Sequence, residues 1–349
     1  MQIDFHHTVT YVLARMAGFT HNDADIIAYA AQYVDDANNS GVIRFDNGAM
    51  YNRISSVNGT YDVFDHVKDA VDYVIWSPFH FLPGADSNTE TFVEKLICRP
   101  NSEVANRMVD LCILYREEPY ALQRLGITMH VYADTFAHKG FAGIVHDVNT
   151  VKNLHLENDE LSLIEQGKYR SVSAALPMGH GAALECPDKP YLIWSYEDYK
   201  GDIIERNNTN DFMDAAWSMF AQLVRYHQDI DKNYKPNDIY TKDDMETIRK
   251  NLETFTEPTG EERHARWLES IRTGDFLFGP QELSYTPKGV GSWKHQAIQQ
   301  DKYIDADEDV FIYSDAFFDS NWKRFHDALQ EHRLTILHEV LPQFKISLA

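Results

Sequence analysis

Apolar residues recur at helical spacing near the start of the chain. A first stripe begins at Phe5 and ends near Gly18, a residue type that commonly closes helices. The segment 20–23 (THND) resembles a capping box with Asp in the role of Glu, and a second apolar stripe follows it. The members of that second stripe are Ala24, Ile27, Ala31 and Val34. Two amphipathic helices are therefore expected here.

The same periodicity returns further along the chain. It predicts four more helices, at roughly 101–115, 119–138, 210–226 and 318–340. Strand signals are few, so the predicted fold class is all-α.

Three segments between these helices lack a clear helical pattern. The Gly/Asn/Asp-rich segment 38–52 is expected to be a loop, and 69–76 fits either a short helix or a strand. Residues 236–290 are expected to be a linker with short helices. We therefore expect a helical, metal-binding catalytic core at 1–235 and a mixed, loop-rich C-terminal region at 236–349 that packs on it.

Three potential metal ligands follow one stripe of the predicted helix 119–138. His130, Asp134 and His138 are four residues apart, and each step of four turns a helix by only about 40°. The three side chains therefore share one face, while Val131 and Phe136 can pack into a core. Imidazole and carboxylate groups on a buried helix are suited to binding a metal ion.

Other segments offer ligands of the same types. Asp35 continues the second apolar stripe, so its carboxylate should point inward, and Asp36 ranks behind it. His6 and His7 are alternatives in the first helix. The remaining candidates lie in glycine- or proline-containing segments, and they are His80 (SPFHFLPG), His180, Glu185 and Asp188 (MGHGAALECPD). Either Glu185 or Asp188 could complete a second site.

Composition excludes several classes of protein. The 349 residues are 44% hydrophobic and 25% charged, as in ordinary globular chains, and no apolar run is long enough for a transmembrane anchor. A net charge of −22 argues against stable nucleic-acid binding. Three scattered cysteines form neither a disulfide framework nor a CxxC zinc pattern. We expect synthesis in the cytoplasm, with export by a signal-independent route left open.

The ordered set of ligands resembles the zinc-dependent bacterial phospholipases C, in particular a branch without a signal peptide. This family shares its α-helical superfamily with single-strand-specific zinc nucleases. The resemblance is carried by IDFHH, IIAYAAQYVDDA, WSPFHFLPG, HVYADTFAHKG and MGHGAALECPD. It implies a multi-helix, phospholipase C-like core, and it implies as metal ligands His6, Asp35, His80, His130, Asp134, His138 and His180, with Glu185 or Asp188.

The resemblance also implies an activity and its cofactor. In secreted members an N-terminal amine helps to hold one of three ions. Here Met1 lies five residues before His6, so the third ion is left open and we expect two to three zinc ions. Asp35 would orient or deprotonate the attacking water. The expected substrate is a phospholipid, met by transient contact with a membrane surface and cleaved to diacylglycerol and a phosphorylated head group such as phosphocholine. A nuclease or nucleotide phosphodiesterase, and a non-catalytic helical module stabilised by metal, are the alternatives.

Overall fold

The computed structural model describes residues 1–57, 73–86, 91–159, 178–299, 305 and 309–348. Of these described residues, about 54% are helical and 10% are in strands or bridges, and they form two sheets of three strands each. The class is therefore mixed α/β, and the all-α prediction is wrong.

The N-terminal half consists mainly of helices. A π-helical turn (Asp4–Val9) leads into the first of them, and Thr20 caps the second by accepting a hydrogen bond from the Asp23 amide, as the THND segment predicts. The helices are α1 (Thr10–Met16), α2 (His21–Asp36), α3 (Tyr73–Phe79), α4 (Phe92–Leu96), α5 (Glu103–Leu114) and α6 (Ala121–Ala137). The predicted short element at 69–76 is the start of α3 from residue 73 onward, and 69–72 lie outside the described residues.

The strands of the described residues lie outside the predicted helices. They are β1 (Gly41–Phe45), β2 (Met50–Arg53), β3 (Lys152–Leu156), β4 (Ile193–Glu197), β5 (Ile203–Asn207) and β6 (Val310–Phe311). One sheet has the order β2-β1-β6, with β1 antiparallel to β2 and parallel to β6, and the other is the antiparallel β3-β4-β5.

The predicted loop 38–52 is mostly the hairpin β1–β2, so that prediction is wrong. Ile43 and Phe45 are buried while Val42 and Arg44 are exposed, which is the two-residue alternation of a half-buried strand. Gly48 has a φ of +86° in the turn between the strands, a conformation that glycine adopts without strain. The turn residues were misread as a loop because the strands that they join are only five and four residues long.

The C-terminal half adds five further helices of six or more residues. They are α7 (Asn208–Ile230), α8 (Asp238–Thr254), α9 (Gly260–Thr273), α10 (Trp293–Ile298) and α11 (Asn321–Leu334), and π-helical turns continue α11 to Val340. The predicted linker at 236–290 thus contains two full helices, α8 and α9. Met245, Ile248 and Trp267 from these two helices lie in the same apolar cluster as Phe5 and Val9. The C-terminal helices therefore share a core with the first helix.

Close packing between α2 and α6 brings the ends of these helices together. A Cβ atom at Gly126 of α6 would lie 2.3 Å from the Ile27 carbonyl oxygen and 2.7 Å from the Ala30 Cβ of α2. Every residue from Gln123 to Ala137 is buried, so α6 is the central helix around which the others pack. In the described ranges, no helix is both long and apolar enough to span a bilayer.

Candidate metal centre

Helix α6 supplies the central group of the site. His130 and Asp134 are one helical turn apart and are 0% and 1% exposed, and His138 follows directly after the helix ends. The three residues therefore present their side chains from one buried stripe, as the four-residue spacing predicts.

The carboxylate of Asp134 faces a different set of groups with each oxygen. Its Oδ1 lies 2.7 Å from the amine of Met1 and 3.2 Å from His6 Nε2. Its Oδ2 lies 3.4 Å from His130 Nε2 and 3.5 Å from His80 Nδ1. Asp134 can therefore bridge two neighbouring ions.

Asp35 completes the group on the Oδ2 side. Its Oδ1 lies 3.8 Å from both His80 Nδ1 and His130 Nε2, and these two nitrogens are 3.4 Å apart. The Asp35 side chain is 31% exposed, against 0% for His130 and 7% for His80. The cluster of Asp35, His80 and His130 is consequently open to solvent on the Asp35 side.

A third cluster forms where the segment 178–188 meets the end of α6. Asp188 lies with Oδ1 3.6 Å from His138 Nε2 and with Oδ2 3.6 Å from His180 Nε2. The Met1 amine is 3.2 Å from Asp188 Oδ1, so this cluster adjoins the one around His6. Ligand atoms from the three clusters lie close enough for each cluster to hold one metal ion.

The structure also separates the alternatives that the sequence left open. Glu185 points to solvent, with its side chain 58% exposed and 3.6 Å from Lys189, so Asp188 is the acid that reaches the site. His7 turns away from the site and pairs with His264, Nδ1 to Nε2 at 2.9 Å. Asp36 accepts hydrogen bonds from Tyr285 and Gln32. His6 and Asp35 are therefore the members of each pair that face the site.

The Met1 amine lies in the site although it was not among the predicted ligands. The His6 amide donates to the Gln2 carbonyl oxygen at 3.0 Å, and this turn brings Met1, the neighbour of Gln2, beside His6. The spacing of five residues from Met1 to His6, read above as a departure from the family, is the signal that could have indicated this contact.

Hydrogen bonds to backbone carbonyls fix the orientation of three imidazoles. His80 Nε2 lies 3.0 Å from the Ser56 carbonyl oxygen, His138 Nδ1 lies 2.8 Å from that of His80, and His180 Nδ1 lies 2.9 Å from that of Leu184. A carbonyl can only accept, so each of these nitrogens donates and the opposite nitrogen of the neutral ring carries a lone pair. In all three residues that second nitrogen faces the carboxylates, which is the arrangement of metal-binding histidines.

The buried carboxylates of Asp134 and Asp188 favour positive charge on the groups around them, as the pKa shifts of those groups indicate. Burial acts to lower the pKa of the Met1 amine, but Asp134 and Asp188 overcome that effect and raise the pKa to about 11. Burial also acts to lower the pKa of His80, but the nearby carboxylates of Asp134 and Asp35 raise it above its usual value. Burial alone would raise the pKa of Asp134, yet the Met1 amine and neighbouring histidines hold it well below its usual range. In the absence of metal, protons therefore supply the charge that these acids require.

Burial also shifts the pKa values of His6 and Asp35, in opposite directions with respect to metal binding. Burial lowers the pKa of His6 well below its usual value, which keeps its ring neutral as metal coordination requires. Burial raises the pKa of Asp35, so that this carboxyl holds a proton more readily than an ordinary aspartate.

The distances between the four imidazoles of His80, His130, His138 and His180 and the nearby carboxylates fit a shared cation better than direct hydrogen bonds. Nitrogen and oxygen ligands about 2.0–2.2 Å from a tetrahedral zinc ion are about 3.3–3.6 Å from one another. The contacts of His80, His130, His138 and His180 with carboxylates and with each other span 3.4–3.8 Å. These distances exceed those of a normal hydrogen bond, and imidazole with carboxylate suits zinc, iron or manganese.

Comparison with known proteins identifies a family and no function. Residues 1–340 match the family described as "Family of unknown function (DUF6765)". No curated protein and no solved structure matches the chain.

Proposed function

The chain belongs to the DUF6765 family, and we propose that it is a metal-dependent phosphodiester hydrolase, acting as a phospholipase C. The observation that carries the proposal is the set of three adjoining His/Asp clusters, two of which share His130 and contact Asp134, with one side open to solvent at Asp35. A structural zinc site is usually a single closed tetrahedron, whereas a catalytic site keeps an open position.

Each cluster would hold one ion, and zinc is the cation we expect. His6 and Asp134 would hold the first ion, joined by the Met1 amine after it loses its proton; Asp35, His80 and Asp134 would hold the second, and His138, His180 and Asp188 the third. His130 is grouped with the ligands of both the first and the second ion. Bound ions of this kind lower the pKa of a coordinated water and neutralise phosphoryl oxygens.

The protein's own groups prepare the site for an anionic diester. The backbone carbonyls of Ser56, His80 and Leu184 hold three imidazoles in place, so little reorganisation is needed when substrate binds. Asp35 is the carboxylate nearest to solvent, and burial raises its pKa, so it is placed to orient a water molecule and accept its proton.

A phospholipid substrate fits the chain better than a long nucleic acid. The net charge of −22 opposes binding of a polyanion, whereas a single phosphodiester needs only the local charge of the site. On the sheet β2-β1-β6, three apolar residues are 50–69% exposed, Val42, Met50 and Val310, and Ile312 just after β6 is 60% exposed. Arg44 pairs directly with Met50 and Val310, so these side chains share its exposed face. Such a face supports transient contact with a lipid surface.

A substrate panel tests the proposal. We expect the protein, purified without chelator, to hydrolyse phosphatidylcholine to diacylglycerol and phosphocholine, and chelator treatment to abolish the reaction. Asp134→Ala should remove activity by about 10³-fold or more while the helical circular dichroism is largely kept. If single-stranded DNA or cyclic nucleotides are cleaved faster than phosphatidylcholine, the protein is a nuclease or nucleotide phosphodiesterase and not a phospholipase C. Zinc that stabilises the fold with no turnover of any diester would instead indicate a non-catalytic module.

A further inference from the structure

Two consecutive residues of α9 contact the N-terminal segment on both sides of His6. Arg263 is fully buried, and its Nε donates to Asp4 Oδ2 at 2.6 Å while its Nη2 donates to Gln2 Oε1 at 2.5 Å. The next residue, His264, lies 2.9 Å from His7. Helix α9 thus holds residues 2, 4 and 7.

The start of α9 also presses against the same segment. A Cβ atom at Gly260 would lie 2.9 Å from Gln2 Oε1 and 3.0 Å from Gln2 Cβ. A third donor of Arg263, Nη1, binds the Glu257 carbonyl oxygen just before the helix at 2.8 Å, which fixes the guanidinium itself. Gln2 is therefore enclosed between the backbone of Gly260 and the Arg263 fork.

Chain termini are usually poorly ordered unless tertiary contacts tie them down. Here Gln2 is the immediate neighbour of Met1, whose buried amine lies 2.7 Å from Asp134 and 3.2 Å from Asp188. A planar guanidinium with several donors fixes direction as well as charge, which a lysine cannot do. We propose that Arg263 is a positioning residue of the metal centre, which holds the Met1 amine and His6 against Asp134. The inference rests on the proposed metal centre, and it assigns to the C-terminal region a part in building that centre.

The test combines labelling of the Met1 amine with metal analysis. Reductive methylation reports the amine because peptide 1–15 contains no lysine. We expect Met1 in the parent protein to react slowly and Arg263→Gln to raise its rate by about tenfold or more, since local opening exposes it. The same variant should lose about one zinc ion per chain, and Arg263→Lys should fall between the two because a lysine restores only the charge.

Lys294→Met is the matched control. Lys294 forms a buried ion pair with Asp305 at 2.6 Å, with both side chains 3% exposed, and it lies on α10 rather than on α9. This variant should keep the labelling rate and zinc content of the parent. If Arg263→Gln does not fold, Gln2→Leu can be used instead. This variant loses the hydrogen bond between Arg263 Nη2 and Gln2 Oε1, and it should still raise the Met1 labelling rate.

Different results refute the inference and the proposed function. A folded Arg263→Gln protein with Met1 as protected as in the parent, and with zinc unchanged, would overturn the positioning role. A parent protein that contains no metal while Arg263→Gln still exposes Met1 would refute the metal centre, and anchoring of the N-terminus would stand.

Discussion

At the scale of single residues, one carboxylate organises the site. Asp134 contacts the Met1 amine and His6 with one oxygen and His80 and His130 with the other. The residue types and their order along the chain were sufficient to predict that His6, His80, His130 and Asp134 belong to one site, but not that the Met1 amine contacts Asp134. The choice between neighbours was not predictable, because the direction of a side chain in an irregular segment depends on tertiary packing.

The pair Asp188 and Glu185 gives a direct test of that choice. Asp188→Asn should lower the zinc content by about one ion per chain and slow diester hydrolysis by about 100-fold. Glu185→Gln should change neither, because Glu185 is exposed and pairs only with Lys189 among the described residues, and such pairs contribute little. Metal analysis and initial rates on matched preparations measure both. Loss of zinc from the Glu185 variant, with Asp188→Asn unaffected, would reverse the assignment.

At the scale of elements, the packing of α2 on α6 sets the distance between Asp35 and His130. The sequence predicted both helices to within a few residues, because their apolar stripes are long and regular. It did not predict the strands, which are two to five residues long. Nor did it predict that the hairpin β1–β2 lies in the chain between Asp35 and Ser56. The carbonyl oxygen of Ser56 accepts a hydrogen bond from His80.

Gly126 is the residue that permits this packing. An alanine there would clash with the Ile27 carbonyl oxygen, although alanine normally favours a helix more than glycine does. We expect Gly126→Ala to lower the free energy of unfolding by about 1–3 kcal/mol and to reduce metal affinity, because α2 and Asp35 must shift. Denaturant unfolding and metal titration measure the two effects. A stabilised Gly126→Ala protein with unchanged metal affinity would show that the helices do not approach so closely.

At the scale of the whole molecule, the site is built from both ends of the chain. Helices α8 and α9 share the apolar core of the first helix, and Arg263 contacts Gln2 and Asp4. Sequence periodicity could not predict these contacts, since they join residues about 260 positions apart. The structure also buries His326 and His332 on α11.

These two histidines predict loss of stability in acid. Burial lowers the pKa of His326 and His332 to about 3, from an ordinary value of 6.5. Below pH 6.5 the unfolded chain therefore binds more protons than the folded one, and each group costs about 1.4 kcal/mol of stability per pH unit until pH 3. His332→Gln should flatten the dependence of unfolding free energy on pH between 6.5 and 3, and exposed His155→Gln should not. The parent protein and the two variants are compared after chelator treatment. If unfolding free energy changes with pH at the same slope in all three, the burial of the His332 ring is contradicted.

The proposed hydrolase requires that cations be held between the three His/Asp clusters. Anomalous diffraction at the zinc edge, from crystals grown without chelator or added metal, tests this directly. We predict peaks beside Asp134 on both of its oxygens and a further peak between His138, His180 and Asp188. Density maps without a peak at any of these positions, or with the ligand side chains turned away from one another, would contradict it.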